Sequence, residues 1–195
     1  MVKKEFRFEQ AKKEDLKAMA EIEAEFFGDY SKAFDYDFLV KWFNYNKEMF
    51  YVVKNQENEV LAFTIMTPIN EKLYKKMLTG EINDMYDFTE EDVLKEKKSM
   101  HYYVADICAS KKRNEKGYFS VVTYLMAGVI DFLSNYSYYV LASPVTNEGK
   151  AVCNNLGFKD VASSTFDGKT YSICELIANK ETTTKLSKFS KVLRR

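Results

Sequence analysis

The sequence predicts a single mixed α/β domain, in which a mixed central sheet is flanked by helices. The first observation is length, because 195 residues fit one domain. The second is periodicity, because alternating or continuously apolar segments are interleaved with segments of helical period. The third is the order of the predicted elements: strands, loops and helices alternate in the second half of the chain, and antiparallel hairpins flank this part.

The first third of the chain predicts three strands and two helices. Residues 5–9 alternate charged and aromatic side chains, which is typical of a half-buried strand. Residues 14–27 and about 35–46 carry apolar residues at helical spacing, so each is predicted to be a helix. The apolar runs 49–54 and 60–68 are joined by polar residues, which predicts a hairpin.

Two polar segments flank the second half of the predicted sheet. Residues 70–98 are rich in acids and predict a helical insertion on the surface, although an ordinary solvated helical connection explains the same composition. The domain is expected to span residues 1–178 and to be followed by a basic C-terminal tail or helix over 179–195. That tail either docks through its apolar face or forms an arm that binds nucleic acid or another anionic surface.

A strand, a basic loop and a helix follow one another in the middle of the chain. Residues 100–109 are almost continuously apolar, which predicts a central strand. The loop 110–117 is basic, and residues 122–133 form an amphipathic helix. A helix N-terminus beside glycine and positive charge is suited to bind an anion, although a solvated turn has the same composition. A further strand, helix and hairpin are predicted over residues 138–142, 146–156, 158–165 and 170–177.

The composition excludes several classes of protein. The 29 Lys and Arg residues balance the 29 Asp and Glu residues, so global charge does not favour nucleic-acid binding. Cys108, Cys153 and Cys174 lack metal-ligand spacing, and His101 is the single histidine, so no metal site is expected. The start has no apolar signal segment, and no apolar run approaches the ~18 residues of a membrane span. We therefore expect a cytoplasmic protein without a membrane partner.

Three stretches of the chain carry a family resemblance. The phosphate motifs G-x-x-x-x-G-K-[ST] and G-x-G-x-x-G are absent. Residues 6–16 run from a strand into a helix, residues 104–119 contain the strand and basic loop, and residues 144–158 end in Leu-Gly-Phe. On these stretches the chain resembles the GCN5-related N-acetyltransferases, the GNAT superfamily. The acetyl-CoA motif of that family is written Q/R-x-x-G-x-G/A, and its later helix commonly ends in Leu-Gly-Phe.

The resemblance implies a site for acetyl-CoA as co-substrate. In that family the central strand is splayed from its neighbour, pantetheine lies in the gap, and backbone amides hold the pyrophosphate. The chain departs from the motif at Asn114, where Gln or Arg is usual, and at Phe119, where Gly or Ala is usual. The resemblance implies that pantetheine is lined by Ile107, Cys108 and Ala109. It implies that the pyrophosphate is held by the loop residues Arg113, Asn114, Glu115, Lys116, Gly117, Tyr118 and Phe119. Asn147 is a further implied contact to the cofactor.

The resemblance also bears on catalysis, which requires an amine to lose a proton and a thiolate to leave. Many members place a tyrosine five residues before the Phe of Leu-Gly-Phe, and here that position is Cys153. Asp106 is the single carboxylate of the central strand, so it is the candidate general base or a structural strand acid. Cys153 is either a core residue or a reactive thiol that Lys150 would activate.

These observations predict an acyl-CoA-dependent N-acyltransferase that moves acetyl from acetyl-CoA to a primary amine. The acceptor is a small molecule or a protein, and a homodimer is compatible with the sequence. Two alternatives stay open, a non-catalytic acyl-CoA binder or sensor of the same fold and an interaction protein that uses the basic tail.

Overall fold

The computed structural model describes residues 6–27, 34–82, 84–96, 99–112, 121–134, 138–166 and 168–193. In chain order its strands and helices are β1 (Arg7–Gln10), α1 (Leu16–Phe27), α2 (Tyr36–Tyr45), β2 (Phe50–Lys54), β3 (Val60–Ile69), α3 (Glu71–Leu78), β4 (His101–Ala109), α4 (Val121–Ser134), β5 (Tyr138–Ala142), α5 (Asn147–Leu156), β6 (Lys159–Phe166), β7 (Lys169–Ala178) and α6 (Lys180–Leu193). Short 3-10 helices lie at Lys13–Asp15, Lys47–Met49 and Met85–Asp87.

The strands form one mixed sheet in the order β1-β2-β3-β4-β5-β7-β6. β4 and β5 are parallel, whereas β1–β2, β2–β3, β5–β7 and β6–β7 are antiparallel. The ladder between β4 and β5 ends at the pair Val104 and Ala142, although β4 continues to Ala109. The mixed central sheet, its flanking helices and a central strand that outruns its parallel partner confirm the predicted fold class.

The described residues divide into two compact units. Among the described residues, unit 1 contains 6–27, 34–65, 106–112, 121–131 and 188–193, and unit 2 contains 66–82, 84–96, 99–105, 132–134, 138–166 and 168–187. The single domain over 1–178 and the tail over 179–195 stay predictions. No helix among the described residues is long and apolar enough to cross a membrane.

The core of unit 1 follows from the apolar runs in the sequence. β2 and β3 are buried along their whole length, and Val53 and Leu61 pack with Val121 and Leu125 of α4. Burial of these aliphatic side chains is the main stabilising contribution of such a cluster. The close packing also explains Gly128, because a Cβ there would lie 2.4 Å from the ring of Phe8.

α1 presents one buried face at helical spacing. Leu16, Met19 and Ile22 on this face are buried, as the periodicity predicts. Glu23 continues the same face, which places a carboxyl among apolar side chains. The carboxylate of Asp15 accepts a hydrogen bond from the backbone N–H of Lys12 at 2.8 Å and fixes the turn before the helix.

Unit 2 contains turns that the sequence marks clearly. Thr146 accepts a hydrogen bond from the Gly149 N–H at 3.0 Å and caps α5, which ends at Gly157 with φ 88°. Gly168, with φ 72°, lies in the turn between β6 and β7. In the segment predicted as an insertion over 70–98, α3 occupies Glu71–Leu78, and buried Leu73, Met77, Met85, Phe88 and Val93 anchor the segment.

Candidate functional site

Three titratable side chains lie together inside unit 1. Asp106 and Cys108 are two residues apart in β4, so their side chains point to the same face of the sheet. Glu23 reaches them from the buried face of α1. Only 4% of Glu23, 8% of Asp106 and 5% of Cys108 is exposed to solvent. A helix and the predicted central strand therefore enclose two carboxyl groups and a thiol.

Hydrogen bonds fix these three side chains, which we call the carboxyl–thiol cluster. The Cys108 thiol donates to Asp106 Oδ1 at 3.2 Å and lies 3.7 Å from Glu23 Oε2. The backbone N–H of Phe34 donates to Glu23 Oε1 at 3.2 Å. Thr64 of β3 donates its hydroxyl to the backbone oxygen of Asp106 at 2.7 Å. The cluster is thus held from α1, from β3 and from the chain that leads into α2.

The cluster holds its protons strongly. Burial, the charge of Asp106 and a hydrogen bond with Asp106 together raise the pKa of Glu23 to about 10, against the lowering effect of the Phe34 N–H. Burial and the two neighbouring carboxyls raise the pKa of Cys108 well above its usual value. Glu23 therefore keeps its proton at neutral pH.

The spacing of the cluster is also one that a metal ion uses. A sulfur and two carboxyl oxygens from Glu23, Asp106 and Cys108 lie within 4.8 Å of one another. A metal would require Glu23 and Cys108 to lose the protons that they hold at neutral pH. Hydrogen bonds among the protonated side chains explain the same short distances, and they do not require Glu23 and Cys108 to lose their protons.

The other face of β4 belongs to the apolar core of unit 1. Ile107 and Ala109 pack against the cluster that contains Val121 and Leu125 of α4. Of the residues expected to line pantetheine, Ile107 and Ala109 thus face the core, and Cys108 faces the carboxyl–thiol cluster. Contacts from this strand to a cofactor would therefore rely on its backbone. The expected pyrophosphate contacts, residues 113–119, lie outside the described residues.

Comparisons of the whole chain with solved structures identify the fold. An N-acetyltransferase from Staphylococcus aureus Mu50 matches with TM-score 0.60 and 15% identity, over 90% of this chain and 99% of that one. A GNAT-like decarboxylase, GphF, in complex with isobutyryl-CoA matches with TM-score 0.66 and 10% identity, over 89% and 100%. YncA from Salmonella typhimurium, a putative acetyltransferase with acetyl-CoA, matches with TM-score 0.54 and 12% identity, over 90% and 95%. The chain has the GNAT fold.

Sequence comparison alone does not reach this result. The scan against family models and the search of curated proteins each found no match. Identities of 10 to 15% leave few matched residues from which roles could be transferred. The sites on this GNAT fold must therefore be argued from the contacts of this chain.

Cys153, the alternative to Asp106 as a catalytic candidate, lies in α5 of unit 2. Burial and the neighbouring Cys174 raise the pKa of Cys153 to about 12, against a smaller lowering by Lys150. Lys150 forms an ion pair with Asp160, and its Nζ lies 3.4 Å from the sulfur of Cys174. The lysine that the sequence offered as an activator is thus engaged by β6 and β7, and the Cys153 thiol stays protonated.

Asn147 was predicted to contact the cofactor, whereas Glu23 was not predicted to belong to the site. Asn147 is the first residue of α5, and its side chain is exposed. Glu23 was missed, although the sequence contains a signal for it. The residue lies four positions after Met19 and seven after Leu16, so it falls on the apolar face of a predicted helix. A carboxylate on such a face needs a partner, and here the partner is the predicted base, Asp106.

Proposed function

We propose that the protein is an acyl-CoA-dependent N-acyltransferase that transfers an acyl group, in the simplest case acetyl, to a primary amine. The observation that carries the proposal is the buried carboxyl pair that Glu23 of α1 forms with Asp106 on the central strand of a GNAT fold. Such a pair is suited to remove a proton from an ammonium group, because a neutral Glu23 leaves Asp106 to accept it.

A CoA thioester is the proposed co-substrate. Two proteins of similar fold were solved with isobutyryl-CoA and with acetyl-CoA. The backbone of Ile107, Cys108 and Ala109 would contact pantetheine in the part of β4 that continues past its ladder with β5. Residues 113–119 would hold the pyrophosphate through backbone amides, and Asn147 would contact the cofactor.

The proposed reaction needs one base and one leaving group. Asp106 accepts a proton from the ammonium, and the free amine attacks the thioester carbonyl carbon. The carbon–sulfur bond then breaks, the amide forms, and the leaving CoA thiolate takes up the proton that the attacking nitrogen loses. Cys153 is given no nucleophilic role, because a buried thiol with a pKa of about 12 carries almost no thiolate at neutral pH.

The experiment combines cofactor binding with turnover. Acetyl-CoA should bind in calorimetry and raise the melting temperature by mass action. Asp106→Asn should lower thiol release with an accepted amine by roughly 10²- to 10⁴-fold and leave acetyl-CoA affinity unchanged. Cys153→Ala is the matched control and should cost less than about tenfold. No binding at millimolar acetyl-CoA contradicts the cofactor, and full turnover by Asp106→Asn contradicts the base.

A non-catalytic acyl-CoA binder is the second candidate. The position that holds a tyrosine in many GNAT enzymes is a buried cysteine here, Cys153, which favours binding without a dedicated acid. Acetyl-CoA affinity without thiol release across a broad amine panel would support this candidate over the transferase.

A further inference from the structure

Glu25 binds the residues that follow the central strand. Its carboxylate accepts a hydrogen bond from the backbone N–H of Lys111 at 2.6 Å and lies 3.2 and 3.3 Å from the hydroxyl of Ser110. The Lys111 ammonium donates back to the backbone oxygen of Glu25 and lies 4.9 Å from the centre of the Phe26 ring. The C-terminal part of α1 and the residues that follow β4 are therefore joined through both the side chain and the backbone of Glu25.

Ser110 is held from the opposite side as well. Its backbone N–H donates to the oxygen of Leu61 in β3 at 2.9 Å, and its hydroxyl accepts from the N–H of Lys112 at 3.2 Å. Only 3% of Ser110 is exposed. Ser110 thus lies between β3 and the Glu25 carboxylate. Hydrogen bonds on both sides fix the backbone at this first residue after β4.

These contacts are not part of the apolar core. They border a cavity of about 470 Å³ in unit 1, whose lining includes Glu25, Ser110, Lys112 and, one turn earlier in α1, Glu21. Hydrogen bonds to a charged acceptor are stronger than neutral ones, so a carboxylate beside a backbone N–H and a hydroxyl is an effective clamp. Glu21 lines the same cavity and is exposed, which makes it a natural control.

We propose that Glu25 is a positioning residue for acyl-CoA binding. It sets the direction of the chain at Ser110 and Lys111, and so aligns the end of β4 on which the pantetheine contacts of Ile107 to Ala109 depend. The inference rests on the proposed function. Glu25 acts through Ser110 and Lys111 rather than by touching the cofactor, so it is not a catalytic residue.

The sign of the effect distinguishes this role from simple electrostatics. A negative charge near a pyrophosphate repels it, so removal of the Glu25 charge alone would tighten the binding of CoA. Loss of the clamp predicts the opposite, because a misaligned strand end binds the cofactor less well. Replacement of Glu25 therefore gives effects of opposite direction under the two explanations.

The test compares Glu25→Ala, Glu25→Gln and Ser110→Ala with Glu21→Gln. Calorimetry with acetyl-CoA should show Kd raised on the order of tenfold for Glu25→Ala, the scale expected for a lost charge-assisted hydrogen bond. The rise should be smaller for Glu25→Gln, whose amide oxygen still accepts from Lys111, and also for Ser110→Ala. Glu21→Gln removes a carboxylate charge from the same cavity and leaves the clamp intact, so Kd should not rise.

Turnover separates positioning from general damage to the fold. The KM for acetyl-CoA should rise with Kd, whereas kcat at saturating acetyl-CoA should stay within about twofold, because the bound state still forms. An unchanged or lower Kd in Glu25→Ala, or an equal rise in Glu21→Gln, overturns the positioning role alone. If Glu25→Ala fails to fold, the Gln and Ser110 variants decide by the same criteria. Absence of acetyl-CoA binding by the unaltered protein contradicts the proposed function, and the positioning role falls with it.

Discussion

The pair of Glu23 and Asp106 makes the stability of the fold depend on pH in a defined direction. Burial and the neighbouring carboxyl raise the pKa of folded Glu23 from 4.5 to about 10. In the unfolded chain the same side chain ionises near its ordinary value. Between these two values the folded state therefore binds one proton more than the unfolded state.

The sign follows from that difference. The stability linked to the Glu23 proton is fully present below about pH 4.5 and is lost as the pH rises towards about 10. One proton corresponds to ~1.4 kcal/mol per pH unit, so a rise from about pH 5 to about pH 8 lowers the free energy of unfolding by roughly 4 kcal/mol. Glu23→Gln cannot ionise, and its amide can still donate to Asp106 and accept from the Phe34 N–H. The variant should therefore lack this loss.

Urea unfolding at the two pH values measures this effect. Trp42 is the single tryptophan and is fully buried, so its fluorescence reports the transition. We expect Glu23→Gln to lack the fall in stability that Glu23 causes in the parent over this range, and to be more stable than the parent at about pH 8. Glu21→Gln, which changes an exposed carboxylate of the same helix, should keep the slope of the parent. Equal slopes in the parent and in Glu23→Gln would refute the protonated pair.

Two further predictions concern the framework of unit 1. Lys54, 3% exposed, binds Asp15 at 2.8 Å, so Lys54→Met leaves a buried carboxylate without its cation and should lower the free energy of unfolding by about 3 to 5 kcal/mol in urea titrations. Gly128→Ala should cost about 1 to 3 kcal/mol in the same measurement, because its Cβ would overlap the Phe8 ring. An unchanged unfolding midpoint in either variant would contradict the packing described here.

Local signals in the sequence predicted most elements of the fold. The apolar runs 49–54 and 60–68 became β2 and β3 nearly residue for residue, because both strands are buried along their whole length and are therefore built mostly from apolar residues. The limits of α5 follow from Thr146 and Gly157, whose capping roles depend on neighbours in the chain. Where the responsible contacts are local, the sequence was sufficient.

Contacts between distant segments were not predictable in this way. The sequence singled out Asp106 but not the face to which it points, and its partner Glu23 lies in another element. The sequence likewise does not show that Asp160 and Cys174 engage Lys150 from β6 and β7. Such pairings depend on how a helix lies across a sheet, which periodicity alone does not determine.

α1 demonstrates this limit within a few residues. Glu21, Glu23 and Glu25 alternate along one helix, and nothing in their local sequence separates their roles. Each step of two residues turns the helix by about 200°, so Glu23 points away from Glu21 and Glu25, which lie one turn apart on the same side of the helix. Glu21 is exposed, Glu23 is enclosed with Asp106 and keeps its proton, and Glu25 accepts from Ser110 and Lys111. The chemistry of each glutamate is thus set by what the sheet places opposite it, and for that reason Glu21 is a valid control for both of its neighbours.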